Sequence, residues 1–247
     1  YGARPTALMP NHLEQSALFD QFDVFRNNSI FPSSEVGNEP GTSDWKTPAR
    51  EAAIGIRPAF VVCPSSGDEP FSQFKPFKTW NIPPATGNYA FVGGHRGVNS
   101  PNPVNACMTK HHNTGPHLYW TTNQLREIED GTSNTISIGE VIDSHTRNSS
   151  NIWTYVLRYA DNYRVTDVAL NTPPGVDAKR VGTNPAVVNG SFASRHPCGA
   201  VFVFIDGHVD FIGEGIGTEE YQNLSTIAGD PLVNDIEDKQ FCDDNRY

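Results

Sequence analysis

Three histidines crowd one short stretch of this chain: His111, His112 and His117. Neutral imidazole is a common ligand for zinc, copper and nickel. His112 and His117 stand five residues apart on an expected loop, which could turn both onto one ion; the plainer alternative is an exposed polar loop. A second constellation is Ser194 and His196 with Asp206 or Asp210. Nucleophile, base and orienting carboxylate would suit acyl transfer. Strand geometry opposes it, because ten residues at about 3.3 Å each hold His196 roughly 25 to 30 Å from Asp206. A structural role fits better: Asp206 shapes a turn, and His196 bonds backbone where a strand begins. A third group is acidic: Asp235, Glu237, Asp238, Asp243 and Asp244. Carboxylates suit calcium, but no Asp-x-Asp-x-Asp-Gly loop fixes the ligands, so density alone selects these five. Flat aromatic residues (Trp45, Trp80, Trp120, Trp153 and Tyr119) could line a glycan or small-solute site, or simply pack. The four cysteines, Cys63, Cys107, Cys198 and Cys242, include no Cys-x-x-Cys zinc spacing. Their even number suits disulfides in any of three pairings. No phosphate-cradling glycine loop, Gly-x-Ser-x-Gly or His-Glu-x-x-His is present.

The elements that must carry these residues are clearest near the C-terminus. Two apolar runs flank Asp206-Gly207, the pattern of a two-residue β-hairpin turn. The expected register sets Ile205 opposite His208, Phe204 opposite Val209, Val203 opposite Asp210 and Phe202 opposite Phe211. Phe202, Phe204, Val209 and Phe211 then share one apolar face, which must be buried. Upstream, Asn11 and Glu14 start a helix that ends near Asp23, with Leu13, Ala17, Leu18 and Phe22 on one face. Strands are expected at 59–63, 88–93, 135–140 and 152–159. Thr218 caps a last helix, with Glu219 and Glu220 against its N-terminal dipole and Tyr221, Leu224, Ile227 and Ala228 inward. Long loops fill 26–58, 64–86, 94–116 and 160–194. With no linker or repeat, residues 1–247 read as a single α+β domain: an antiparallel sheet with long loops, a few short helices and an acidic tail at about 231–247.

Composition narrows the partners. Hydrophobic residues make up 37% of the chain, charged residues 19%, and net charge is −10. From Gly207 to Tyr247 ten acidic residues face two basic ones, a local −8. Such a chain lacks the basic patch that nucleic acid requires. No apolar run is long enough to cross a membrane.

Two blocks carry a family resemblance. One is Asp130-Gly131-Thr-Ser-Asn134-Thr-Ile-Ser-Ile-Gly-Glu140. The other is His196, nine residues, then Asp206-Gly207. Three weaker blocks fall in order: Leu8 to Leu18, Phe60-Val-Val-Cys-Pro-Ser65 and Tyr221 to Leu224. Together they resemble a prepilin-like family of unknown function, numerous in planctomycetes. The resemblance implies a pilin-like globular head, a leader and apolar helix upstream of Tyr1, and export to the cell envelope, surface or medium. It implies self-assembly or binding to other envelope proteins, membrane contact only through that upstream helix, and no required cofactor. Calcium in C-terminal loops, as in related pseudopilins, would fit. Cys198 and Cys242 depart from or lie beyond the family pattern and are therefore paired with each other, leaving Cys63 with Cys107. The expected function is a non-enzymatic pilin- or pseudopilin-like subunit. A glycan- or solute-binding module is the alternative, and a hydrolase of unrecognised type the third. Both the pilin-type head and the absence of catalysis hang on the hairpin burying its phenylalanine side.

Overall fold

The computed structural model of the protein describes residues 15–22, 52–72, 81–97, 99, 100, 104, 106–118, 123–142, 151–153, 162–173 and 192–229. Five strands form one sheet: β1 (Tyr89–Val92), β2 (Ile136–Glu140), β3 (Tyr163–Arg164), β4 (Gly199–Phe204) and β5 (Val209–Gly213). Their order is β3-β1-β2-β4-β5. Short helices accompany them: α1 (Ser16–Phe22), α2 (Ala106–His111) and α3 (Thr218–Asn223). The fold class is α+β. The sheet is mixed rather than wholly antiparallel, because β3 runs parallel to β1; β2, antiparallel to β1, lies between them in sequence and on the other side of β1 in the sheet. The expected strand at 59–63 is instead a 3₁₀ turn, Ala59–Val61, closed by Val61 N–H to Pro58 O at 3.1 Å. Gly217, not Thr218, occupies the N-cap of α3, without a side-chain cap bond. The acidic tail, the expected helix cap at Asn11 and Glu14, and residues 154–159 lie outside the described residues. None of the described helices is long and apolar enough to cross a membrane.

The hairpin forms, but one residue out of the expected register. Val203 faces Val209, Phe202 faces Asp210, and Val201 faces Phe211. The loop is longer than two residues: Gly207 N–H donates to Phe204 O at 3.0 Å, and Phe204 N–H to His208 O at 2.9 Å. Only Gly207 takes positive φ, at 92°, so the turn is of type I followed by a glycine bulge. The cause lies outside the hairpin. Ile205 N–H donates to Thr135 O and Asp206 N–H to Thr132 O, at 2.9 and 3.1 Å, which ties the tip to the turn before β2.

A one-residue slip moves every side chain of β5 to the other face. Phe202 and Phe204 are buried, as are Ala200 and Ile212, while Phe211 is 48% exposed and Val209 60%. Phe202 and Phe211 therefore lie on opposite sides of the sheet, and the shared phenylalanine face expected from the sequence does not exist. The pilin-type head and the absence of catalysis lose that support and must rest on other observations.

The core gathers Val92, Ile136, Phe192, Phe202, Phe204 and Tyr221 around the centre of the sheet. Phe202 packs between Phe192, at 5.4 Å between ring centres, and Tyr221, at 6.2 Å. Gly139 of β2 lies against the Phe192 and Phe202 rings and leaves them room.

Candidate functional site

One residue from each of three blocks that carry the resemblance, Cys63, Glu140 and His196, meets the others at one end of the sheet. Glu140 is the last residue of β2 and is buried. Its Oε2 accepts the Val201 N–H of neighbouring β4 at 2.8 Å, which aims Oε1 at His196 Nε2, 3.3 Å away. His196 stands just before β4, where the chain is tightly turned. Its N–H donates to Ser194 Oγ at 2.9 Å, Ser194 Oγ donates to Gly199 O at 2.7 Å, and Cys198 takes φ of 64°. Cys63 follows the 3₁₀ turn, and its N–H donates to Asn88 Oδ1 at 3.1 Å. Asn88 in turn donates to Asp68 Oδ2 at 2.7 Å, and Asp68 pairs with Arg195 at 3.3 Å. These ties bring Cys63 Sγ to 3.6 Å from His196 Nε2. Ser65 Oγ is 3.2 Å from each of those two atoms. Tyr89 lies opposite Glu140 in the sheet, and burial, then Cys63 and Glu140, push its hydroxyl pKa up.

Cys63, Glu140 and His196 are the one group of three potential ligands found among the described residues, their atoms all within 4.8 Å of one another. Among the described residues the arrangement is not a nucleophile–base relay. In a relay the orienting carboxylate holds one ring nitrogen while the nucleophile uses the other. Here thiol, carboxylate and hydroxyl all address Nε2.

The other expected sites fare differently. Ser194, His196 and Asp206 are not assembled: Ser194 serves the local turn, and Asp206 at the hairpin tip bonds His208 N–H at 3.0 Å and its ring at 2.6 Å. The His208 backbone N–H, then its ring, lower the Asp206 pKa. His208 itself stacks on Phe204 at 4.2 Å. The Asp130–Asn134 turn is structural. Asp130 Oδ2 accepts from Thr226 Oγ1 and from Gly229 N–H at 2.5 and 2.8 Å, and Gly131 takes φ of 93°. Trp153 is buried, with its indole N–H donating to Ile56 O at 2.8 Å, so it offers no glycan platform. Trp45, Trp80, Trp120, Tyr119 and all five calcium candidates, Asp235 to Asp244, lie outside the described residues. Cys63 and Cys198 carry free thiols in this structure, and Cys63 Sγ lies beside His196. The side chain of Cys107 and all of Cys242 fall outside the described residues.

His111, His112 and His117 are not gathered onto one point. His117 turns to the sheet, 2.8 Å from Ser137 Oγ and edge-on to Phe91 at 4.9 Å. Burial lowers its pKa to about 4 from 6.5. The unfolded chain therefore takes the proton first as pH falls. This contribution to stability is whole above about pH 6.5 and is lost as pH drops toward about 4. After discounting for the partial exposure of His117, the loss is about 2 kcal/mol. Urea melts at pH 7 and pH 4.5 should show that decline, and His117→Gln should flatten it; an equal decline in the variant would place its origin elsewhere.

A second feature is a surface. Among the described residues β5 is an edge strand, and its outer face presents Val209 and Phe211 beside the half-buried Val201 and Val203. A groove of about 560 Å³ runs along the same hairpin, lined by Phe204, His208, Phe211, Ile216, Glu220 and Leu224 among others.

A mixed-sheet α+β domain with a half-buried Cys–Glu–His junction and, among the described residues, an edge strand that exposes Val209 and Phe211 is thus the class of protein at hand. Residues 4–219 match the model of a family described as protein of unknown function (DUF1559), and the chain belongs to that family. No curated protein and no solved structure matches it.

Proposed function

We propose that the chain is the globular head of an exported, non-enzymatic, pilin-like subunit that joins neighbouring copies of itself in a cell-envelope or extracellular assembly. One observation carries this reading: an edge strand that holds Val209 and Phe211 out to solvent, at 60% and 48% exposure. Soluble monomers ordinarily blunt such edges with charge, proline or a covering segment, because unpaired backbone and apolar side chains recruit another strand. The resemblance of the Asp130–Glu140 and His196–Gly207 blocks to prepilin-like proteins supports the same role. The convergence of thiol and carboxylate on one imidazole nitrogen gives no general-base relay for a hydrolase.

Negative-stain imaging and sedimentation of the native full-length protein test the proposal. Ordered arrays or higher species are expected, and Phe211→Asp should return them to single subunits with unchanged circular dichroism. A native protein that stays monomeric at every concentration, or a Phe211→Asp variant that assembles equally well, would overturn it. A monomer retained by a glycan array would put the carbohydrate-binding module in its place.

A further inference from the structure

We propose that Cys63 Sγ, His196 Nε2 and Glu140 Oε1 form a binding site for a thiophilic divalent metal ion of the zinc class. This site is independent of self-assembly. Ligands about 2.0 to 2.3 Å from a tetrahedral ion stand roughly 3.3 to 3.8 Å from one another. The two distances to His196 Nε2 are 3.3 Å from Glu140 and 3.6 Å from Cys63, with all three atoms inside 4.8 Å. The ligand set is that of zinc or cobalt: thiolate selects against calcium and magnesium, and imidazole with carboxylate completes a borderline set.

Three neighbours compete for one ring nitrogen, His196 Nε2. Nε2 carries either one proton or one lone pair. If it donates to Glu140, nothing remains at that nitrogen for Cys63 and Ser65. A cation at the common point serves all of them. It also answers the charge: Glu140 Oε1 is buried 3.3 Å from His196 Nε2, a contact that is ionic only when the imidazole is protonated, and a buried carboxylate demands compensation.

The ligands are positioned in advance, as metal ligands generally are. Val201 N–H holds the second carboxylate oxygen, Asn88 holds the Cys63 backbone, and Ser194 holds the His196 backbone. The fourth corner points outward. Ser65 is exposed with its hydroxyl 3.2 Å from both Sγ and Nε2, and the His196 side chain is 34% exposed. Ser65 or a water would complete the coordination, and solvent gives the ion its path in.

The test uses the full chain, reduced and stripped with chelator, titrated with zinc by calorimetry and with cobalt by absorption. One ion per chain is expected, with a thiolate-to-cobalt charge-transfer band. Cys63→Ser should abolish the band. Glu140→Gln and His196→Gln should each weaken zinc by at least the roughly 10- to 100-fold typical of losing even an outer partner. Circular dichroism guards against misfolding, and Cys198→Ser, a free thiol outside the trio, should bind as the parent does. No uptake at micromolar metal by a chain with Cys63 reduced, or a cobalt band that survives Cys63→Ser, would overturn the proposal. Cys63 found oxidised in a disulfide in the native protein would overturn it as well.

Discussion

Phe202→Ala is expected to lower stability by about 3 to 5 kcal/mol, and Phe211→Ala, in the facing strand of the same hairpin, by only about 1 to 1.5 kcal/mol. Phe202 is fully buried at 0% exposure and touches the Phe192 and Tyr221 rings, whereas Phe211 is 48% exposed on the far side of the sheet. Truncating the first leaves a ring-sized cavity in a core whose neighbours are themselves buried aromatics, so collapse recovers little. Truncating the second removes a ring about half of which water already reaches, and leaves no enclosed cavity. Urea denaturation of the two variants reads the difference directly. In the two-residue turn both phenylalanines would face the core and both losses would be large. Equal costs would therefore return the hairpin to that register and displace the one found here.

The second large effect belongs to a residue without a side chain. Gly139→Ala is expected to cost about 3 kcal/mol, the upper end of ordinary overpacking. A Cβ at this position would stand within 2.6 Å of both the Phe192 and Phe202 rings. Neither ring is the loose end of a flexible chain; both are fully buried and in contact with each other. The strain falls one residue before Glu140, so β2 must shift where its carboxylate is aimed. Thermal melts of Gly139→Ala with and without zinc test both parts: a lower melting temperature, and a smaller rise on adding metal than the parent shows. A variant with parental melting and parental zinc response would contradict the packing described around Gly139.

Local pattern makes much of this fold readable in the sequence. Ile136-Ser137-Ile138 alternates apolar and polar residues, while Tyr89–Val92 and Gly199–Phe204 are short apolar runs bounded by glycine-bearing turns, and either pattern marks a strand without reference to anything distant. The register of the hairpin is not readable, because it is decided elsewhere: Thr132 and Thr135 capture the backbone of Asp206 and Ile205, and no property of the Asp-Gly pair reveals that. The same holds for β3, two residues whose parallel pairing with β1 depends on a long return of the chain. At the candidate site Glu140 and His196 stand out through their motifs, whereas Cys63 reads, from sequence alone, as half of a disulfide. Spacing motifs find ligands that are neighbours in sequence, and these three are neighbours only in space. The signal able to find them is their distribution: separate blocks of the resemblance contain Cys63, Glu140 and His196.

That separation has a kinetic corollary. Cys63 and His196 lie 133 positions apart and meet across a sheet whose central pairings are nearly all non-local. Loop closure of that span is entropically dear, and folds of high contact order reach their native pairing in milliseconds to seconds rather than microseconds. The β4–β5 ribbon closes locally and early; the junction of 63, 140 and 196 comes into being only when the last strands dock. Appearance of the cobalt–thiolate band after a refolding jump would then clock the final step of assembly, well behind the first gain of β-structure.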